Sequence, residues 1–61
     1  MKNIKLAEAR NKAGLTQAEV ATKAEVSIRA YKLYESGERI PRADVAKLIA
    51  HALKSTVEKL F

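Results

Sequence analysis

Two helix start signals stand unusually close together in the chain. Thr16 followed by Glu19 is a capping box: the threonine hydroxyl and the glutamate carboxylate each satisfy a backbone N–H that a first helical turn leaves without a partner. Leu15 and Val20 flank it at the spacing of a hydrophobic staple. Ser27 is the next N-cap, and Val26 with Tyr31 repeats the staple. A helix over 17–23 and another over 27–35 are therefore joined through Ala24, Glu25 and Val26 alone. So short a connection forces the two helices to cross at a steep angle.

The rest of the chain supplies helices around that pair. Ile4, Leu6, Ala9 and Ala13 give a mostly helical spacing for a first segment of about ten residues, and Gly14 follows where a helix end favours positive φ. Ala18, Val20 and Ala21 offer the second helix small or branched surfaces for close contact. Ser36 and Gly37 end the third, and Pro41 resets the chain for a fourth over 43–53, with Val45, Leu48, Ile49 and Leu53 on one stripe. Ser55 with Glu58 forms a second possible capping box, Thr56 is a rival N-cap, and Val57, Leu60 and Phe61 make the apolar side of a last short helix. With two Gly, one Pro and scattered β-branched residues, strand and hairpin chemistry is scarce. The expectation is an all-α, compact five-helix domain occupying 1–61.

Sixty-one residues hide only about 60% of the surface an unfolded chain exposes, so the core must be small and well packed. The absence of Cys excludes a disulfide framework and thiolate zinc sites, and points to an intracellular protein. No apolar run nears the roughly 20 residues of a membrane span, and MKNIKLAEAR is charged where a signal peptide is apolar. The cytoplasm is the expected location. Twelve Lys and Arg against seven Asp and Glu give a formal net charge of +5, which suits a polyanionic partner, although dispersed lysines also occur on ordinary solvated surfaces. Enzyme chemistry finds no constellation. His51 is the only His and lies between alanines, no glycine-rich phosphate loop occurs, and Glu8 and Glu19 read as helix-terminal charges. Neither a catalytic residue, a metal site nor a cofactor is expected.

The third helix divides cleanly on a helical wheel. At 100° per residue, Ala30, Tyr31 and Tyr34 fall together on one side while Arg29, Lys32 and Leu33 fall on the other. The first set suits a core. Arg29 can donate a bidentate pair to guanine O6 and N7, Lys32 can reach guanine or a phosphate, and Ile28 and Leu33 can only make apolar contacts, best with thymine methyls. Ile28 also reads as an edge-of-core residue, and Leu33 as part of a protein contact.

LAEAR, GLTQAEVATKAEVS, YESGERIP and KLIAHALKSTVEKLF closely resemble the XRE-type helix-turn-helix domains of phage Cro proteins and phage repressors, over roughly residues 4–61. Gly14, Thr16, Gln17, Val20 and Ala21 match the family's turn and second helix, and Glu35, Gly37 and Pro41 match the end of the third helix and its loop. The resemblance implies a lambda-repressor-like fold and a sequence-specific, double-stranded DNA-binding transcriptional regulator of phage or mobile-element repressor type, whose third helix reads the major groove. It places Ile28, Arg29, Lys32 and Leu33 at base edges, and Thr16, Gln17, Ser27, Arg39 and Arg42 on the DNA backbone. Arg10 and Glu35 become a partly buried ion pair. A homodimer on a palindromic operator is implied, with Leu60 and Phe61 as possible dimer contacts, although Leu60 could equally complete the core. Two positions depart from the family, which usually has Gly where Glu25 stands and often where Lys54 stands; a non-glycine residue at positive φ costs on the order of 1 kcal/mol. The competing function is the same fold used as a protein-interaction module, an antitoxin or anti-repressor partner anchored by Leu33 and Ile28.

Overall fold

The computed structural model describes residues 2–61, and among them the chain forms five α-helices and no strand. They are α1 (Ile4–Lys12), α2 (Gln17–Lys23), α3 (Ile28–Ser36), α4 (Ala43–Ala52) and α5 (Val57–Leu60). Local capping sets most of the boundaries. Thr16 and Glu19 form the reciprocal capping box, with N–H···O distances of 3.1 and 2.8 Å, and the Ser27 hydroxyl accepts from the Ala30 N–H at 3.0 Å. The Thr16 N–H holds the Glu19 carboxylate below its ordinary pKa. Gly37 closes α3 in the left-handed conformation, φ 80°, as a C-terminal glycine does best.

One expected cap is made by a different residue. The last helix is capped by Thr56, whose hydroxyl accepts from the Lys59 N–H, so Ser55 and Glu58 form no capping box. The fourth begins after Arg42, an N-cap without a side-chain hydrogen bond, and the start is set by the buried Pro41 immediately before it.

Leu6, Val20, Tyr31 and Ile49 are the largest wholly buried side chains, one from each of α1 to α4, and Leu60 closes the core from α5. The apolar stripes are narrower than the spacing predicts. Ile4 is 65% exposed because it lies two residues from the buried Leu6, on the opposite face of α1, and Ala13 and Ala18 also face outward. On α4 the small Ala46 and Ala50 lie inward, admitting α2 and α5 closely, while Leu48 is turned to the edge of the stripe. The most extensive helix contact is between α2 and α3.

The connection between α2 and α3 is made by Ala24, buried against the core, then Glu25 at φ 59°, Val26, which packs on the core edge, and the cap Ser27. The backbone thus takes the left-handed conformation at the very residue where the family uses glycine, and does so again at Lys54, φ 52°. The turn carries the strain of a non-glycine residue at positive φ.

Candidate nucleic-acid interface

α3 owes its orientation to its two tyrosines. Tyr31 is wholly buried and Tyr34 is 7% exposed, and together with the half-buried Ala30 they turn the opposite face outward. On that face Arg29 and Lys32 are exposed and Ile28 is 44% exposed, so an edge-of-core role for Ile28 accounts for only part of its surface. Leu33 is half-buried, less free than the wheel suggests. Its backbone carbonyl accepts from the N–H groups of Gly37, Glu38 and Arg39, which folds the loop back across the end of α3.

A polar cluster fixes α3 against α1 and α2. Arg10 Nε donates to Glu35 Oε2 at 2.6 Å, and Arg10 Nη1 donates to the Leu15 carbonyl at 2.9 Å; the side chains of Arg10 and Glu35 are 15% and 9% exposed. Gln17 Nε2 donates to Glu35 Oε1 at 3.1 Å. One carboxylate at the end of α3 is therefore tied to α1 through Arg10 and to the first residue of α2 through Gln17, while Arg10 also holds the segment before α2. Burial pushes the Glu35 pKa up, but the polar hydrogens of Arg10, Tyr31 and Gln17 gathered around it prevail and hold it below the ordinary value. The Tyr31 hydroxyl lies wholly buried beside the same groups with no hydrogen bond of regular geometry; burial, then the Glu35 charge, drives its pKa far up, so it stays neutral.

Sequence reasoning missed two members of this framework. The role of Gln17 toward Glu35 had no local signal, since the two are 18 residues apart. Asn3 had one: it is a favoured N-cap residue standing immediately before an apolar-periodic run. Its Oδ1 accepts from the Leu6 N–H at 3.0 Å, its Nδ2 donates to the Leu60 carbonyl at 2.7 Å, and its N–H donates to the Glu35 carbonyl at 2.9 Å.

The residues expected on the DNA backbone differ in availability. Thr16, Ser27, Arg39 and Arg42 are exposed, although the Thr16 and Ser27 hydroxyls are engaged in capping, whereas Gln17 is half-buried with its amide nitrogen committed to Glu35. Arg42 reaches Asp44 at 3.6 Å across open solvent, the two side chains being 84% and 70% exposed. Leu60, at 3% exposure, is a core residue and offers no dimer surface; Phe61 remains 39% exposed. His51 is exposed near the end of α4.

Two short helices joined by a strained four-residue turn, the second offering a cationic face from an ion-paired base, define an all-α helix-turn-helix domain. The model of the helix-turn-helix family matches residues 6–60, and the chain belongs to that family in its XRE-type, lambda-repressor-like form. It is similar to the cryptic phage CTXphi transcriptional repressor RstR of Vibrio cholerae serotype O1, with 38% identity over 56 residues, which cover 92% of this chain and 50% of that relative. The chain spans about half the length of the curated relative it matches.

Proposed function

We propose that the chain is a sequence-specific, double-stranded DNA-binding transcriptional regulator of phage-repressor type, with α3 reading the major groove. The observation that carries this is the outward face of α3: Arg29 and Lys32 exposed beside Ile28, on the second helix of a helix-turn-helix. Arg29 reads guanine, Ile28 and the accessible part of Leu33 touch thymine methyls, and Lys32 serves a base or a phosphate. Thr16, Ser27, Arg39 and Arg42 hold the backbone, with Gln17 contributing through its main-chain N–H, since its side-chain amide donor is committed to Glu35. The name of the relative, a transcriptional repressor, supports the same reading.

Arg42 adds an independent argument. An arginine at a helix N-cap meets the positive end of the helix dipole and supplies no capping acceptor, so it serves the fold poorly. A phosphate beside it would use both the cation and the N–H groups of Ala43 and Asp44, the Val45 N–H being taken by the Asp44 carboxylate.

Salt dependence separates this function from an apolar protein-interaction module built on Ile28 and Leu33. DNA binding by several phosphate contacts falls steeply as salt rises, about 0.9 in the log–log slope per phosphate neutralised, whereas an apolar protein contact barely responds. Arg29→Ala is expected to relax preference at one base position at a cost of about 1 to 3 kcal/mol. Arg42→Ala is expected to weaken all sequences alike and to flatten the salt slope by about one. Identical behaviour of the two variants in fluorescence-anisotropy titrations would contradict the division of roles.

A further inference from the structure

A groove of about 530 Å³ lies between the start of α1, the loop after α3 and the last helix. Its floor is rigid, because Asn3 bridges to the carbonyls of both Leu60 and Glu35 and Leu60 itself is core. Ile40, 83% exposed, and Phe61, 39% exposed, stand in its walls. Ile40 is the most exposed large apolar side chain among the described residues, and at that exposure it adds almost nothing to the core. Around these two apolar groups the lining carries four cations, Lys2, Lys5, Arg39 and Lys59, against the one carboxylate of Glu58.

We propose that this groove binds an acidic peptide segment of another protein, with an apolar side chain seated on Ile40 and Phe61 and carboxylates facing the four cations. The charge imbalance selects the occupant. A second copy of the chain would bring the same four cations opposite these and be repelled. A duplex would satisfy the cations but leave Ile40 and Phe61 without a partner, since the phosphate backbone has no apolar group to cover them. An acidic segment with an apolar anchor answers both: the cations steer it in and the buried anchor slows its release. The surface shares Arg39 with the proposed DNA-backbone contacts but none of the base-reading residues of α3, so it stands or falls separately from those.

The test uses the full chain and a short fluorescent peptide in which a Phe-Leu pair is flanked on both sides by glutamates. Saturable binding is expected, with amide shifts in NMR titrations concentrated at Asn3, Ile40, Lys59 and Phe61. Ile40→Glu, and Lys2→Glu combined with Lys59→Glu, should each weaken it at least about tenfold, as should replacing the Phe-Leu pair by alanines. Lys47→Glu, an exposed charge reversal outside the groove, should change affinity by less than about twofold. Ile40 is too exposed for its replacement to unfold the domain. The proposal is overturned if the peptide does not bind, if the alanine peptide binds equally well, or if Lys47→Glu acts like the groove variants. It is overturned equally if a duplex of arbitrary sequence gives the groove shifts while Ile40→Glu leaves peptide affinity unchanged, or if sedimentation shows a dimer that Ile40→Glu dissociates, which would assign the groove to a second copy.

Discussion

Glu35 gathers three donors at the point where α1, α2 and α3 meet, and its side chain is nearly out of water. Truncating one partner of a fully buried pair costs roughly 3 to 5 kcal/mol, because the other is left charged and unpaired. The guanidinium of Arg10 keeps some contact with water, so Glu35→Ala is expected to destabilise by about 2 to 3 kcal/mol in urea unfolding. The same group sets an acid limit. With its folded pKa below the ordinary 4.5, Glu35 contributes stability that is present in full above the unfolded value and is lost as pH falls through the lower folded one. The urea midpoint should therefore decline below about pH 5, and more shallowly in Glu35→Gln, which cannot titrate. Glu25 makes the opposite prediction. Relief of about 1 kcal/mol of left-handed strain at φ 59° is partly offset by the extra freedom of glycine in the unfolded chain, so Glu25→Gly should gain about 0.5 kcal/mol, a rise of about 2 to 4 °C in Tm. Glu25→Ala, which keeps the strain, should gain nothing. The departure at Glu25 was legible from sequence because family and backbone conformation agree there. The link from Gln17 to Glu35 was not, because it depends on how α2 and α3 are rotated against each other.

The helices themselves show which signals carry over from sequence to structure. Reciprocal caps and left-handed glycines are local, and Thr16, Ser27 and Gly37 stand in the structure where they stood in the sequence reading. Apolar periodicity gave the direction of each stripe but not its width. On α4 the pattern selected Leu48 for its size, whereas close approach of α2 and α5 favours the small faces of Ala46 and Ala50. The cationic face of α3 was legible for the same reason as the core: Tyr31 and Tyr34 fix one side, and Arg29 and Lys32 must take the other. The partial burial of Leu33 was not, since it follows from the loop folding back to its carbonyl. Arg42 is where local preference and the helix disagree. Arg42→Ser supplies the missing capping acceptor and removes a cation from the N-terminus of α4, so thermal unfolding should show a gain of about 1 kcal/mol. The same variant should bind every DNA sequence more weakly, and a stability gain without that loss would remove Arg42 from the interface.

The whole molecule measures 23 × 20 × 19 Å along its principal axes. Half-sites of a palindromic operator lie about 34 Å apart, one turn of duplex, so on the proposed function a single domain of this size would cover one half-site and leave the other to a second copy. The formal net charge of +5 favours encounter with DNA of any sequence, and on the proposed function the α3 face would add preference for one. Specific recognition by α3 is the central claim, and selection of bound sites from random duplex DNA at moderate salt tests it most directly. The account predicts enrichment of a two-fold symmetric motif whose half-sites contain a guanine preference that Arg29→Ala abolishes while leaving the remaining positions in place. Recovery of unenriched DNA by the unaltered chain, or of a motif indifferent to Arg29→Ala, would contradict it.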